Sequence, residues 1–238
     1  MADLHAASRT RKRLFLMRHG EVRYYDADGT VVPDFDSVAL TADGEAQARA
    51  VGALLAEAPL DLAGHTPLPR SAATLAAVLG DRRVPTEEFP DLREPHLGRF
   101  LEDHREMLDR FVYGFDRAGV PGAILGRDGE SFAGFYLRVS RAIERLFLRD
   151  DWRTALVVGH AVANRAALAW ACNAGLRGLA SFEQDYGCLN VIDADVEDGR
   201  IRRRLVRLVN FTAYNPTKHG ITLTTLEQAV AARFAKRA

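Results

Sequence analysis

Two histidines stand where a sheet-based site would need them. Residues 14–17 (Leu-Phe-Leu-Met) form a short apolar run that stops at Arg18-His19-Gly20. Residues 154–159 (Thr-Ala-Leu-Val-Val-Gly) form another, which stops at His160. Apolar runs this short, bounded by polar residues and glycine, read as buried strands. In open α/β sheets ligands bind beyond the carboxyl ends of the strands, so both imidazoles are expected there. A lone buried histidine is usually a structural hydrogen bonder, but two at equivalent strand ends, one beside arginine and glycine, point to chemistry. An imidazole can attack as a nucleophile or donate to a developing anion, and a guanidinium offers an oxyanion a planar fork. Arg-His-Gly alone is weak evidence: with 29 Arg, 7 His and 19 Gly in 238 residues, chance supplies roughly 0.07 copies per chain. The surrounding elements decide its weight.

Thr41 reads as the N-cap of a helix running to about residue 57, with Ala50, Val51, Leu54 and Leu55 at helical spacing. A weak strand is expected over 60–66. Pro69 sits at the first turn of a helix ending at Leu79, closed by Gly80, and 84–89 is extended. Charged and aromatic stretches over 98–120, followed by a glycine-rich return, predict an inserted helical cap at about 98–130. Residues 131–149 form an amphipathic helix with Phe135, Val139, Ala142, Ile143, Leu146 and Phe147 on one face. A helix over 161–174 follows the strand 154–159. Strands at 188–193 and 200–209 flank a turn at Glu197-Asp198-Gly199, and a last helix spans 223–235. Strands alternating with helices predict an α/β fold: a three-layer sandwich with a mainly parallel central sheet, helices on both faces and a small inserted helical cap. Residues 1–238 are taken as one domain, with 1–12 as a disordered, basic, solvated tail.

The composition sets limits. Lys+Arg and Asp+Glu both number 32, for a formal net charge of zero, which argues against a nucleic-acid or membrane partner held by overall charge. Only Lys12, Lys218 and Lys236 among the cations are lysine. Cys172 and Cys188 read as two buried thiols rather than a bridge. No apolar run suits a membrane span or a signal peptide, so a cytoplasmic protein is expected. Metal-ligand spacings, a phosphate-binding G-x-x-x-x-G-K loop and a G-x-S-x-G elbow are all missing from the sequence, so no metal and no cofactor are expected. Arg202-Arg203-Arg204 reads as charge on an exposed strand that discourages edge pairing.

The segments LFLMRHGE, LTADGEAQARAVGALL, TPLPRSAATLAAVL, DLREPHLG, DGESFAGFYLRV and ALVVGHAVANRAAL, in this order, resemble the histidine phosphatase superfamily, the phosphoglycerate-mutase-like enzymes. The resemblance covers most of the chain. Carried over position by position, it implies a catalytic pocket of Arg18, His19, Arg70, Glu94 and His160. Read alone, Arg70 is an exposed helix cation and Glu94 a surface carboxylate before Pro95. In the implied roles His19 is the nucleophile, kept neutral by nearby guanidiniums. Arg18 and Arg70 hold the phosphoryl oxygens, with His160 donating to one of them, more usefully when protonated. Glu94 is the acid and then the base. The arginines should keep Glu94 ionised until a phosphate dianion offsets them. Gly20 lets backbone approach the anion, and Tyr25 and Arg99 are candidate substrate contacts.

The sequence departs from the family pattern at Ala161, where glycine commonly follows the histidine. It departs again at Tyr25, where some relatives carry asparagine, and over Gly98-Arg99-Phe100-Leu101-Glu102 at the cap edge. The cap carries Arg99, Arg105, Arg110 and Arg117 but no match to the basic residues with which mutases hold a second acidic group. The expected activity is therefore phosphomonoester hydrolysis of a small phosphorylated metabolite through a phosphohistidine. A cofactor-dependent phosphoglycerate-type mutase is the alternative, and a non-catalytic phosphate-recognition module a third reading. A homodimer is the assembly expected, with no nucleic-acid or membrane partner.

Overall fold

The computed structural model describes residues 10–25, 30–32, 34–98 and 103–234. Six strands form one sheet: β1 (Thr10–Arg18), β2 (Leu62–His65), β3 (Thr86–Glu88), β4 (Thr154–Gly159), β5 (Leu189–Glu197) and β6 (Arg200–Phe211). Their spatial order is β3-β2-β4-β1-β5-β6. The first four are mutually parallel; β5 runs antiparallel to β1, and β6 antiparallel to β5. The β5–β6 turn places Asp198 and Gly199 at φ 49° and 67°, the twist a two-residue hairpin loop requires.

Side-chain alternation along the strands divides the core in two. Leu14, Leu16, Ala155 and Val157 face a layer that includes α4 (Phe132–Leu148) and α5 (Ala161–Ala171). Met17, Leu156 and Val158 face α1 (Ala42–Leu54) and α2 (Pro69–Leu79). This is the expected α/β sandwich. Thr41 caps α1 by accepting from the Gly44 N–H at 3.0 Å, Pro69 opens α2, and Gly80 closes it at φ 53°. Ser131 caps α4, whose buried face carries the predicted residues.

Within the cap, α3 (His104–Met107) runs into a π turn (Leu108–Val112) and a 3-10 turn (Tyr113–Arg117). Met107 packs on Val230 of α6 (Thr225–Phe234), with Phe111, Val112 and Phe234 around them. The C-terminal helix is thus bound to the cap, a contact no local pattern predicted. Among the described residues no helix is long and apolar enough to cross a membrane.

Two expectations need correction. The N-terminal tail ends sooner than residue 12, because β1 begins at Thr10. Arg11 and Arg13 hold Asp195 and Asp193, each with a 2.8 Å contact, and Lys12 is buried; a solvated terminus would show neither. The rest of that tail, 1–9, lies outside the described residues. The thiols also differ: Cys188 is buried, but Cys172 is exposed just beyond α5. Both are unbridged.

Candidate active site

The parallel pairing of β1 and β4 aligns Arg18 with Gly159, so the next residues emerge side by side. His19 N–H donates to the Gly159 carbonyl at 3.1 Å, and the His19 and His160 ring centroids lie 5.3 Å apart. Arg70 enters from the first turn of α2, and Glu94 from the loop after the 3-10 turn Pro90–Leu92. Arg18, Arg70, His19 and His160 are all buried. The five residues therefore converge at the carboxyl edge of the sheet.

The hydrogen bonds around His19 fix its tautomer. Nδ1 lies 2.8 Å from the Gly20 carbonyl, which can only accept, so Nδ1 carries the proton and Nε2 keeps its lone pair. Burial chiefly, then His160, Arg18 and Arg70, push its pKa well below the usual histidine range. The guanidiniums were expected to keep this ring neutral; they contribute, but burial is the larger cause.

His160 is aimed by a relay. Its Nε2 lies 2.7 Å from Thr66 Oγ1, which lies 2.7 Å from Ser71 Oγ. Ser71 Oγ is 2.9 Å from the carbonyls of both Thr66 and Leu68. Since carbonyls only accept, the Ser71 proton points to them, and donation runs from His160 Nε2 through Thr66 to Ser71. Nδ1 is left buried without a hydrogen-bond partner. Burial first, then Arg70, Arg18 and Arg93, lower the His160 pKa well below the usual range. The ring is therefore neutral on its own; protonation at Nδ1 needs an anion beside it.

Arg18 donates through Nη1 to the Gln184 carbonyl at 2.6 Å, and its guanidinium lies 3.8 Å from the Tyr186 ring centroid. Arg70 donates through Nη1 to the Phe35 carbonyl at 2.9 Å. Both Nε groups are buried with no partner in the protein, and buried donors are seldom left so. The Glu94 carboxylate accepts from Val162 N–H at 3.1 Å and Ala163 N–H at 3.3 Å, at the N-terminus of α5. The amides and arginines favour its ionised form, yet burial outweighs them and its pKa is raised. The expectation that the arginines set the direction is corrected: they lower the pKa, but burial is the larger cause.

The remaining predicted contacts fare differently. Gly20 is required by its contact with α1. A Cβ there would lie 2.3 Å from the Gly44 carbonyl oxygen, and its N–H is spent on Thr74 Oγ1 at 3.0 Å. Tyr25 lines the chamber in front of the arginines, as does Ala161. Arg99 lies outside the described residues. Sequence reasoning missed Thr66, Tyr24, Tyr186 and the α6 wall. Thr66 was findable, because it follows β2 just as His19 and His160 follow their strands; the others carried no local signal.

The chain's likeness to known proteins agrees with this arrangement. The histidine phosphatase superfamily (branch 1) matches residues 14–206. An adenosylcobalamin/alpha-ribazole phosphatase of Escherichia coli (strain K12) is 28% identical over 197 residues, covering 80% of this chain and 94% of that protein. The Salmonella typhimurium protein of the same name is 30% identical over 184 residues, covering 76% and 90%. The crystal structure of the alpha-ribazole phosphatase from Shigella flexneri superposes with a TM-score of 0.65 at 26% identity, covering 83% of this chain and 96% of that one.

Proposed function

The chain belongs to branch 1 of the histidine phosphatase superfamily, and from that premise we propose that it hydrolyses phosphomonoesters of small metabolites through a phosphohistidine at His19. The observation that carries the assignment of roles is the His19 tautomer: Nδ1–H is committed to Gly20, so Nε2 offers its lone pair beside two buried guanidiniums. In the first step Nε2 attacks phosphorus, the phosphorus–ester oxygen bond breaks, and Glu94 gives its proton to the leaving alcohol oxygen. Arg18 and Arg70 hold the equatorial oxygens by charge-assisted hydrogen bonds, worth about 1.5–3 kcal/mol each. His160, protonated at Nδ1 once the dianion is beside it, donates to a third. In the second step Glu94 takes a proton from water, whose oxygen attacks phosphorus; the nitrogen–phosphorus bond breaks and phosphate leaves.

Tyr25 is proposed as a contact to the alcohol part, and Arg99 as a cation at the cap edge. Neutral overall charge supports a small phosphoester over a nucleic acid or membrane as partner, and the unbridged thiols suit the cytoplasm. The relatives' activity makes phosphorylated alpha-ribazole an individual substrate to assay. The test is phosphate release from an aryl phosphate in EDTA, with an alkaline denaturing quench after a radioactive phosphoester, since a phosphohistidine survives alkali and not acid. Wild type is expected to turn over and to retain acid-labile label, and His19→Ala to lose both. An active His19→Ala variant overturns the nucleophile, and abolition by EDTA overturns the chemistry. With 2,3-bisphosphoglycerate and 3-phosphoglycerate, isomerisation faster than phosphate release would make it a mutase.

A further inference from the structure

Residues 184–188, which lead into β5, touch both Arg18 and His19. The Gln184 carbonyl accepts from Arg18 Nη1 at 2.6 Å, and the Tyr186 ring lies 3.8 Å from that guanidinium. Gly187 N–H donates to the His19 carbonyl at 3.0 Å, and the Cys188 carbonyl accepts from Arg18 N–H at 3.0 Å. Residues 182–185 belong to no helix or strand, so the first half of this loop needs partners from elsewhere. Asp185 finds them from a buried position. Its N–H donates to Asn210 Oδ1 at 2.7 Å, and its carboxylate accepts from Asn210 Nδ2 at 3.0 Å and Lys218 Nζ at 2.7 Å. Lys218 Nζ also donates to Thr212 Oγ1 at 3.1 Å, and Tyr214 Oη donates to the Tyr186 carbonyl at 3.0 Å.

Two features set Lys218 apart. It is one of three lysines among 32 cations, and its backbone is left-handed at φ 58°. Glycine would adopt that conformation without strain, and a lysine gains nothing from it, so the side chain is what the position uses. A buried ion pair is weak evidence for stability, since apolar replacements often serve as well, but it fixes direction. The compact ammonium serves Asp185 and Thr212 at once, without the planar geometry a guanidinium imposes. We propose that Lys218 is a positioning residue for phosphoryl transfer: by holding Asp185 it fixes the Gln184 carbonyl and the Tyr186 ring, which aim Arg18 at the phosphoryl group. The inference rests on the phosphatase reading and adds to it a residue that acts through others rather than on the substrate. Arg18 needs such a mount because its Nε is buried with no partner in the protein, and a displaced grip on the reacting group is costly in rate.

A double-mutant cycle tests the proposal. With p-nitrophenyl phosphate, Lys218→Met is expected to lower kcat/KM about ten- to a hundredfold when Arg18 is present. In the Arg18→Ala background, where nothing is left to aim, the same change should cost less than about twofold. Calorimetric titration with inorganic phosphate should show a raised Kd for Lys218→Met, a reading independent of turnover. Thermal unfolding gives the folded fraction of each protein, and Asp185→Asn, close in shape, takes the place of a Lys218→Met variant that does not fold. Equal losses in both backgrounds, or turnover and phosphate binding unchanged by Lys218→Met, overturn the positioning role and leave the phosphatase. A wild type that hydrolyses no ester, with phosphate binding still weakened by Lys218→Met, overturns the phosphatase reading instead and keeps the aiming of Arg18.

Discussion

At the scale of single residues, Glu94 is where opposing effects meet. Two backbone amides and two arginines lower its pKa, while burial raises it, and burial is the larger effect. His19 is the converse case, its proton removed by the same burial. A neutral imidazole beside a carboxyl with a raised pKa is the pairing that attack followed by protonation of the alcohol requires. The sign of the pH dependence follows. Because the His19 pKa lies well below 6.5, acid impairs kcat/KM only far below that value. As pH rises through the raised Glu94 pKa, the proton donor is lost and kcat/KM for alkyl esters falls. Glu94→Gln should cost about 10²–10⁴ in kcat against an alkyl phosphate, whose alcoholate needs the proton. Against p-nitrophenyl phosphate, whose leaving group does not, the cost to the first step should stay under about tenfold. Burst kinetics with both esters separate the first step from the second; equal losses for both would remove Glu94 as the acid.

At the scale of elements, the site depends on how closely α1 meets the loop after β1. A Cβ at Gly44 would lie 2.3 Å from the Glu21 carbonyl oxygen, two residues from the nucleophile. In an exposed helix, glycine to alanine stabilises by roughly 0.5–1 kcal/mol. Gly44→Ala should do the reverse, destabilising by about 1–3 kcal/mol through overpacking and lowering kcat by displacing residues 19–21. Urea denaturation checks it, and a variant as stable as wild type would refute the contact. This dependence was legible only in part. Strand ends, the Thr41 cap, Pro69 and Gly80 could be read because their causes are local: apolar runs, a capping oxygen, a fixed φ. The parallel register that sets His19 beside His160 followed from the general rule for strand ends. The site arginines and Glu94 came from the family resemblance, since nothing beside them in sequence separates a buried anion grip from a surface charge. The α6–cap contact and the Tyr186 face over Arg18 join residues far apart in the chain, and no periodicity records such pairs.

Over the whole molecule, the zero net charge conceals how unevenly its 29 arginines and three lysines are used. Arginines lie along the sheet and cap in pairs: Arg11 with Asp195, Arg13 and Arg207 with the buried Asp193, Arg149 with Glu87 and Asp151. Lys12, far from the site, has no such partner among the described residues. It is 1% exposed, its Nζ has no hydrogen-bond partner, and it stands 4.9 Å from the Trp152 ring centroid at the end of the sheet remote from the site. Burial lowers its pKa, with Asp150 and Asp151 opposing and Arg153 and Arg149 assisting. Because the folded pKa lies below the unfolded value of 10.5, the unfolded chain binds more protons between the two. Stability from this group therefore rises with pH through that window, and below it the full desolvation penalty persists. The cation–π contact offsets roughly 0.5–2 kcal/mol of that penalty. Replacing the lysine with a methionine of similar length removes the buried charge and keeps the packing on Trp152. Lys12→Met should thus stabilise the protein by about 1–2 kcal/mol near neutral pH, on the scale found when buried charges are replaced by apolar residues. A chain of this size then gains a few degrees in Tm, at roughly 2–4 °C per kcal/mol. The gain should shrink as pH approaches 10.5, where the unfolded lysine also loses its proton. Thermal unfolding of both proteins across pH 6 to 10.5 decides it. A destabilised Lys12→Met, or a difference independent of pH, would mean that the ammonium is stabilised where it lies and that Trp152 outweighs its lost hydration.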